Sequence, residues 1–231
     1  MARLPQLVSA LTRVDGRKMG TIEHGSRMLR EAGLLVSGKR GVGAPEMGFT
    51  DAANLLIAVN ATDNLSDGPT ATELILALVP TGGVKEDQLF PLPDIERQPT
   101  FGDALSWVIA GVPYLLQAID RAIAGRYCEP YTDEQRRMLQ HQARLGMGPA
   151  NFIVSFERTH ARLRIEWTDA SPMVDWERRY YLPEEGFDDA AKLMRGDRRV
   201  YVEVGLPTLI ALYECISGET VNQLEEAGEL E

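Results

Sequence analysis

The order of apolar and polar positions predicts a run of short elements. Leu4, Leu7, Val8 and Leu11 recur at helical spacing, and Asp15-Gly16 breaks that helix. A second helix is predicted from residue 20 or 21 to residue 32, with Gly33 in the C-terminal glycine position. Its apolar side holds Ile22, Met28, Leu29 and Ala32, and its polar side Glu23, His24, Arg27, Arg30 and Glu31. Leu34-Leu35-Val36 reads as a short strand, residues 37–45 as a glycine-rich hairpin tip, and residues 47–49 as the returning strand. Thr50 is the expected N-cap of a helix over 51–60, with Ala52, Leu55, Leu56 and Val59 facing inward.

Beyond a polar loop at 63–69, residues 70–79 read as an apolar helix, and the prolines of 80–100 mark a linker. Residues 101–127 form a long helical stretch that Pro113 should kink or cut. Leu105, Val108, Val112, Leu115 and Ile119 form a stripe along it that packs either in cis or against another subunit. A polar helix follows at 133–145. After Gly146 the period changes to two: Phe152, Val154 and Phe156, then Ala161, Leu163, Ile165 and Trp167, predict a hairpin around Thr159-His160. Further strands are expected at 174–182 and 199–204, a short helix at 188–195, and a closing apolar helix at 207–216. The class is therefore α+β: an N-terminal module, central helices, and a C-terminal antiparallel sheet with a closing helix. The boundaries fall at 1–80, a linker at 81–100, helices at 101–147, an α+β part at 148–218, and an acidic tail at 219–231.

Composition narrows this only in places. The chain has 231 residues, 44% of them hydrophobic, so wholesale disorder is excluded. No apolar run is long enough to suggest a membrane span, and no secretory signal is read at the start. With only two cysteines, far apart, a reducing cytoplasm is the simpler expectation. Neither metal nor cofactor is expected, since the three histidines and two cysteines have no ligand-like spacing. The net charge is −10, but it is unevenly placed. Residues 1–50 hold eight basic and four acidic side chains, a basic head on an acidic body, as a polyanion-binding module would show.

Residues 21–56, TIEHGSRMLREAGLLVSGKRGVGAPEMGFTDAANLL, order themselves as helix, glycine, short strand, basic glycine-rich turn, short strand, helix. This resembles the winged helix-turn-helix DNA-binding modules and, more loosely, the small DNA-binding proteins of temperate phages and prophages, over about residues 1–62. The resemblance implies that the second helix enters the major groove and that the hairpin touches the backbone or minor groove. Carried over, Thr21, His24 and Arg27 would read bases, Arg30 would lie nearer the phosphates, and Lys39 and Arg40 would be the wing contact. Arg17 and Lys18, in the turn before the helix, complete the expected DNA-binding set. The pattern departs from the family in having two helices, not three, before the wing, with 51–60 packing back as the third. Thr12 stands where a small residue is usual, four positions before Gly16. Gly25 in mid-helix costs about 1 kcal/mol against alanine, which points to close approach there.

Other chemistries fare less well. Gly33 to Lys39 has phosphate-loop spacing, but Arg40 replaces the magnesium-holding hydroxyl and the segment follows a helix instead of a strand. Ser155, His160 and Asp169 lack a nucleophile-elbow pattern, and Cys128 with His141 is a weak thiol pair. No enzyme is expected. The expected function is a sequence-specific double-stranded DNA-binding protein, a regulator of phage or prophage type. The alternatives are a packaging protein resembling phage small terminases, which would oligomerise through the 105–119 stripe, and a non-DNA adaptor or inhibitor binding a protein partner through its C-terminal part.

Overall fold

A computed structural model describes residues 2–38, 44–62, 64–81, 94–168, 173–186, 188, 191 and 200–221. Helix α1 spans Leu4–Asp15 and ends on Gly16 at φ 79°. Helix α2 spans Met19–Glu31. It closes on Gly33 at φ 78°, with the Leu34 N–H donating to the Leu29 carbonyl and the Gly33 N–H to Arg30. That paired pattern is a Schellman motif, and its left-handed position is why glycine stands there.

Helix α3, Phe49–Asn60, is buried along nearly its whole length, from Ala52 to Asn60. An apolar perimeter needs neighbours on every side. It has them in α2, α4 (Gly68–Leu76), α5 (Phe101–Ala110) and the closing helix α8 (Leu206–Ser217). Its N-cap is Gly48, not Thr50, because the Asp51 carboxylate accepts the Gly48 N–H at 2.8 Å. Pro113 sits in the first turn of α6 (Val112–Arg126) and separates it from α5 at a bend of 75°, as its ring demands. Helix α7 spans Asp133–Arg144 and packs on α6.

Five strands form one antiparallel sheet in the order β1-β4-β3-β2-β5. They are Val79–Thr81, Ala150–Phe156, His160–Trp167, Met173–Tyr181 and Val202–Gly205, numbered in chain order. The 2–3 hairpin has Phe156 opposite Ala161. Phe152, Val154, Phe156, Leu163 and Tyr180 point inward, and Phe101 from α5 meets the rings of Tyr180 at 5.5 Å and Phe156 at 6.1 Å. The outer face is an ion-pair lattice: Arg164 reaches Glu166 and Glu203, and Arg179 reaches Glu177.

Two expectations change. β1 falls where the sequence predicts the end of a helix and the start of a linker, and it becomes the sheet's edge strand through Val79 opposite Tyr181. Among the described residues, elements expected on either side of the linker share one core: α1 packs on α8, α3 packs on α5, and Phe49 stacks on Tyr213 at 6.2 Å. The stripe Leu105, Val108, Val112, Leu115 and Ile119 is buried within this chain, which is the cis alternative of the two expected. Most of the 188–195 segment and of the 219–231 tail lies outside the described residues. Among the described residues no single helix is long and apolar enough to cross a membrane, and no group of His, Cys, Asp and Glu side chains is disposed to hold a metal.

Candidate nucleic-acid interface

Helices α1 and α2 meet across the turn Gly16-Arg17-Lys18, and α3 packs against α2. Ile22, Gly25, Ser26 and Leu29 bury the inner face of α2. A Cβ on Gly25 would lie 3.0 Å from Val59 Cγ1, so the glycine permits the close α2–α3 approach expected of it. With the apolar side committed inward, the helical period turns Glu23, Arg27, Arg30 and Glu31 to solvent.

The expected contact residues separate into three groups. Lys18, Arg27 and Arg30 are exposed, and Thr21 and His24 are half-buried beside them. Arg27 leaves 58% of its side chain open and stands 3.9 Å from Glu31, an exposed pair of little energetic weight. Its Nη2 also lies 3.0 Å from His24 Nδ1. A guanidinium only donates, so that ring nitrogen accepts and the ring's own N–H is at Nε2, a donor suited to a base acceptor. Arg17 is different. Its Nη1 lies 2.8 Å from Asp15 Oδ2 and 2.6 Å from Asn60 Oδ1, while Asn60 Nδ2 donates to the same aspartate. Arg17 therefore ties the end of α1 to the end of α3, with 37% of its side chain still exposed. Lys39 and Arg40 lie outside the described residues.

The flanks of the expected wing carry no strand ladder among the described residues. The reason is a competition for backbone groups. The Val36 N–H donates to Asp51 Oδ1 at 2.9 Å, the Leu34 carbonyl accepts from Asn54 Nδ2 at 2.7 Å, and the Met47 N–H donates to the Ala2 carbonyl at 2.8 Å. Pro45 has no N–H to offer. The two flanks are thus strapped to α3 and to the start of α1 through side chains and termini, with Gly38 against Pro45.

This strapping creates a concavity that the sequence does not announce. The outward face of α2 forms one wall of a cleft of about 760 Å³. The start of α1 and residues 36–38, 44, 45 and 47 form the others. Leu4, Val8, Met19, Val36 and Met47 supply apolar lining, and Glu23, His24, Arg27 and Arg30 supply polar lining. Arg3 joins them because the Ala2–Met47 hydrogen bond brings the chain's start to the strap, a tertiary event with no local signal. The phosphate-loop spacing at 33–39 has no such geometry: Gly33 follows a helix C-terminus, where the backbone dipole repels anions. Ser155 is buried in the sheet and His160 pairs with Glu157 at 2.7 Å, while Asp169 lies outside the described residues. Comparison with protein-family models, with curated proteins and with solved structures finds no match to this chain.

Proposed function

We propose that this protein binds double-stranded DNA sequence-specifically, with α2 as the reading helix, and acts as a regulator. The observation that supports this is the face of α2: Arg27 and Arg30 exposed one turn apart, with His24 beside Arg27, on the second helix of a tight helix-turn-helix pair. Arginine grips guanine bidentately, and two basic residues one helical turn apart can serve one groove, one on a base edge and one on a phosphate. The acidic remainder of the chain repels DNA and confines contact to this face. Lys39 and Arg40, which lie outside the described residues, complete the proposal as contacts to the DNA backbone. The phage or prophage affiliation belongs to the same proposal. The packaging alternative loses its assembly stripe, which is buried in cis.

The test is a random-duplex selection at near-physiological salt, followed by titrations of the selected site. Arg27→Ala should cost about 1–3 kcal/mol and relax preference at one base pair. Arg30→Ala should weaken all duplexes alike and reduce the salt slope by about one unit. Failure of the selection to enrich any sequence, or equal loss on all duplexes for Arg27→Ala, would overturn base reading by α2.

A further inference from the structure

We propose that the cleft between α2 and the strap is a binding site for a small organic anion, an apolar body carrying one acidic group, whose occupancy keeps duplex DNA off α2. The second clause rests on the DNA reading; the first does not.

Three observations converge on this chemistry. The first is size, since about 760 Å³ falls within the range of small-molecule sites. The second is an apolar lining partly open to solvent, contributed by separate walls. Met19 on α2 is 47% exposed and Val36 on the strap 42%, with Leu4 and Val8 at the α1 side. Large apolar side chains left open across a concavity gain by being covered. The third is charge. Arg27 and Arg30 stand on the same wall, with Glu23 the one acidic residue lining the cleft among the described residues. A purely polar anion would leave the apolar lining wet, and a neutral apolar body would leave the remaining donors of the exposed guanidiniums unused, Arg27 having only His24 Nδ1 and the loose Glu31 pair. A ligand with both parts satisfies both, and a carboxylate or sulfonate suits the guanidinium fork. Because Arg27 and Arg30 are also the proposed DNA contacts, a bound anion neutralises the charges that a phosphate would meet.

The experiment compares two fluorescent probes on the full chain. They are 1-anilinonaphthalene-8-sulfonate and its neutral counterpart N-phenyl-1-naphthylamine, which has the same apolar body without the charge. The sulfonate should bind one per chain and about tenfold or more tighter than the neutral probe, the scale of one charge-assisted pair. In Arg27→Ala/Arg30→Ala that preference should vanish. Gly20→Phe should weaken both probes, because a Cβ at this cleft-lining glycine meets nothing within 4 Å and the ring can enter the site without displacing backbone. Its circular dichroism should match that of the unsubstituted protein; if the variant does not fold, the two-probe contrast in the arginine variant still decides. Equal affinity for the two probes, or a sulfonate preference that survives loss of both arginines, would overturn the ligand site. Saturating sulfonate should also release the selected duplex. A duplex that stays bound beside the probe overturns the exclusion, and a protein that binds no duplex overturns the exclusion and the DNA reading together, leaving the ligand site to the fluorescence arm.

Discussion

Two arginines ten residues apart illustrate how residue type underdetermines role. Arg17 and Arg27 are both basic residues of the head, yet one is held by Asp15 and Asn60 and the other is open. Arg17→Ala should therefore lower stability by about 1 kcal/mol, the scale of one partly exposed charge-assisted bond, with DNA affinity and salt slope unchanged. Arg27→Ala should do the reverse, and urea titration beside duplex titration separates the two. Gly33→Ala provides a second check at this scale. Its φ of 78° is costly for any side chain, so about 1–2 kcal/mol of stability should be lost although the site is exposed.

The strap owes its shape to α3. Asp51 accepts the Val36 and Gly48 N–H groups, at once capping its own helix and fixing the far wall of the cleft. Asp51→Ala should cost about 1–3 kcal/mol and speed amide exchange at Val36 and Gly48 well before the helix core opens. If both amides retain protection, the strap is held by something other than this carboxylate. The substitution should also weaken the anionic probe, since the wall it holds lines the cleft.

Over the whole molecule, the head and the sheet share one interior. Leu105→Ala should cost about 2–5 kcal/mol with no change of mass in solution, because Leu105 is buried within the chain. A change of subunit number on this substitution would restore the stripe to an interface. Alkaline stability follows from Tyr180 at the centre of that interior. Burial pushes its phenol up to about 12, the nearby Arg178 guanidinium offsetting part of the push. The native state thus holds a proton that the unfolded chain releases from pH 10 upward. This contribution is complete below pH 10 and falls between about 10 and 12, so alkaline unfolding should track tyrosinate absorbance in that window. At the acid end the outer face of the sheet contributes the opposite sign. Burial alone would raise Glu203, but hydrogen bonds from Tyr201 and Arg164 outweigh it and hold the carboxyl below its usual range. That contribution is present above the ordinary carboxylate pKa and is lost as pH falls through the lowered value.

Much was legible in the chain itself, wherever the cause is local. Gly33 after an amphipathic run specifies a left-handed helix end, Pro113 specifies a break, and the alternation from Phe152 to Trp167 specifies a two-sided hairpin, because backbone sterics and side-chain period act over a few residues. The basic polar side of α2 was legible for the same reason. What the tertiary structure alone decided depends on partners far along the chain. Arg17 is held by Asn60, 43 positions away, and the strands expected beside the glycine-rich turn give way to bonds from Asp51, Asn54 and Ala2. Val79–Thr81 becomes a strand only because β4 arrives a hundred residues later to pair with it. A hydrogen bond goes to whichever partner the packed chain brings within reach, and that choice is not encoded in local period or propensity.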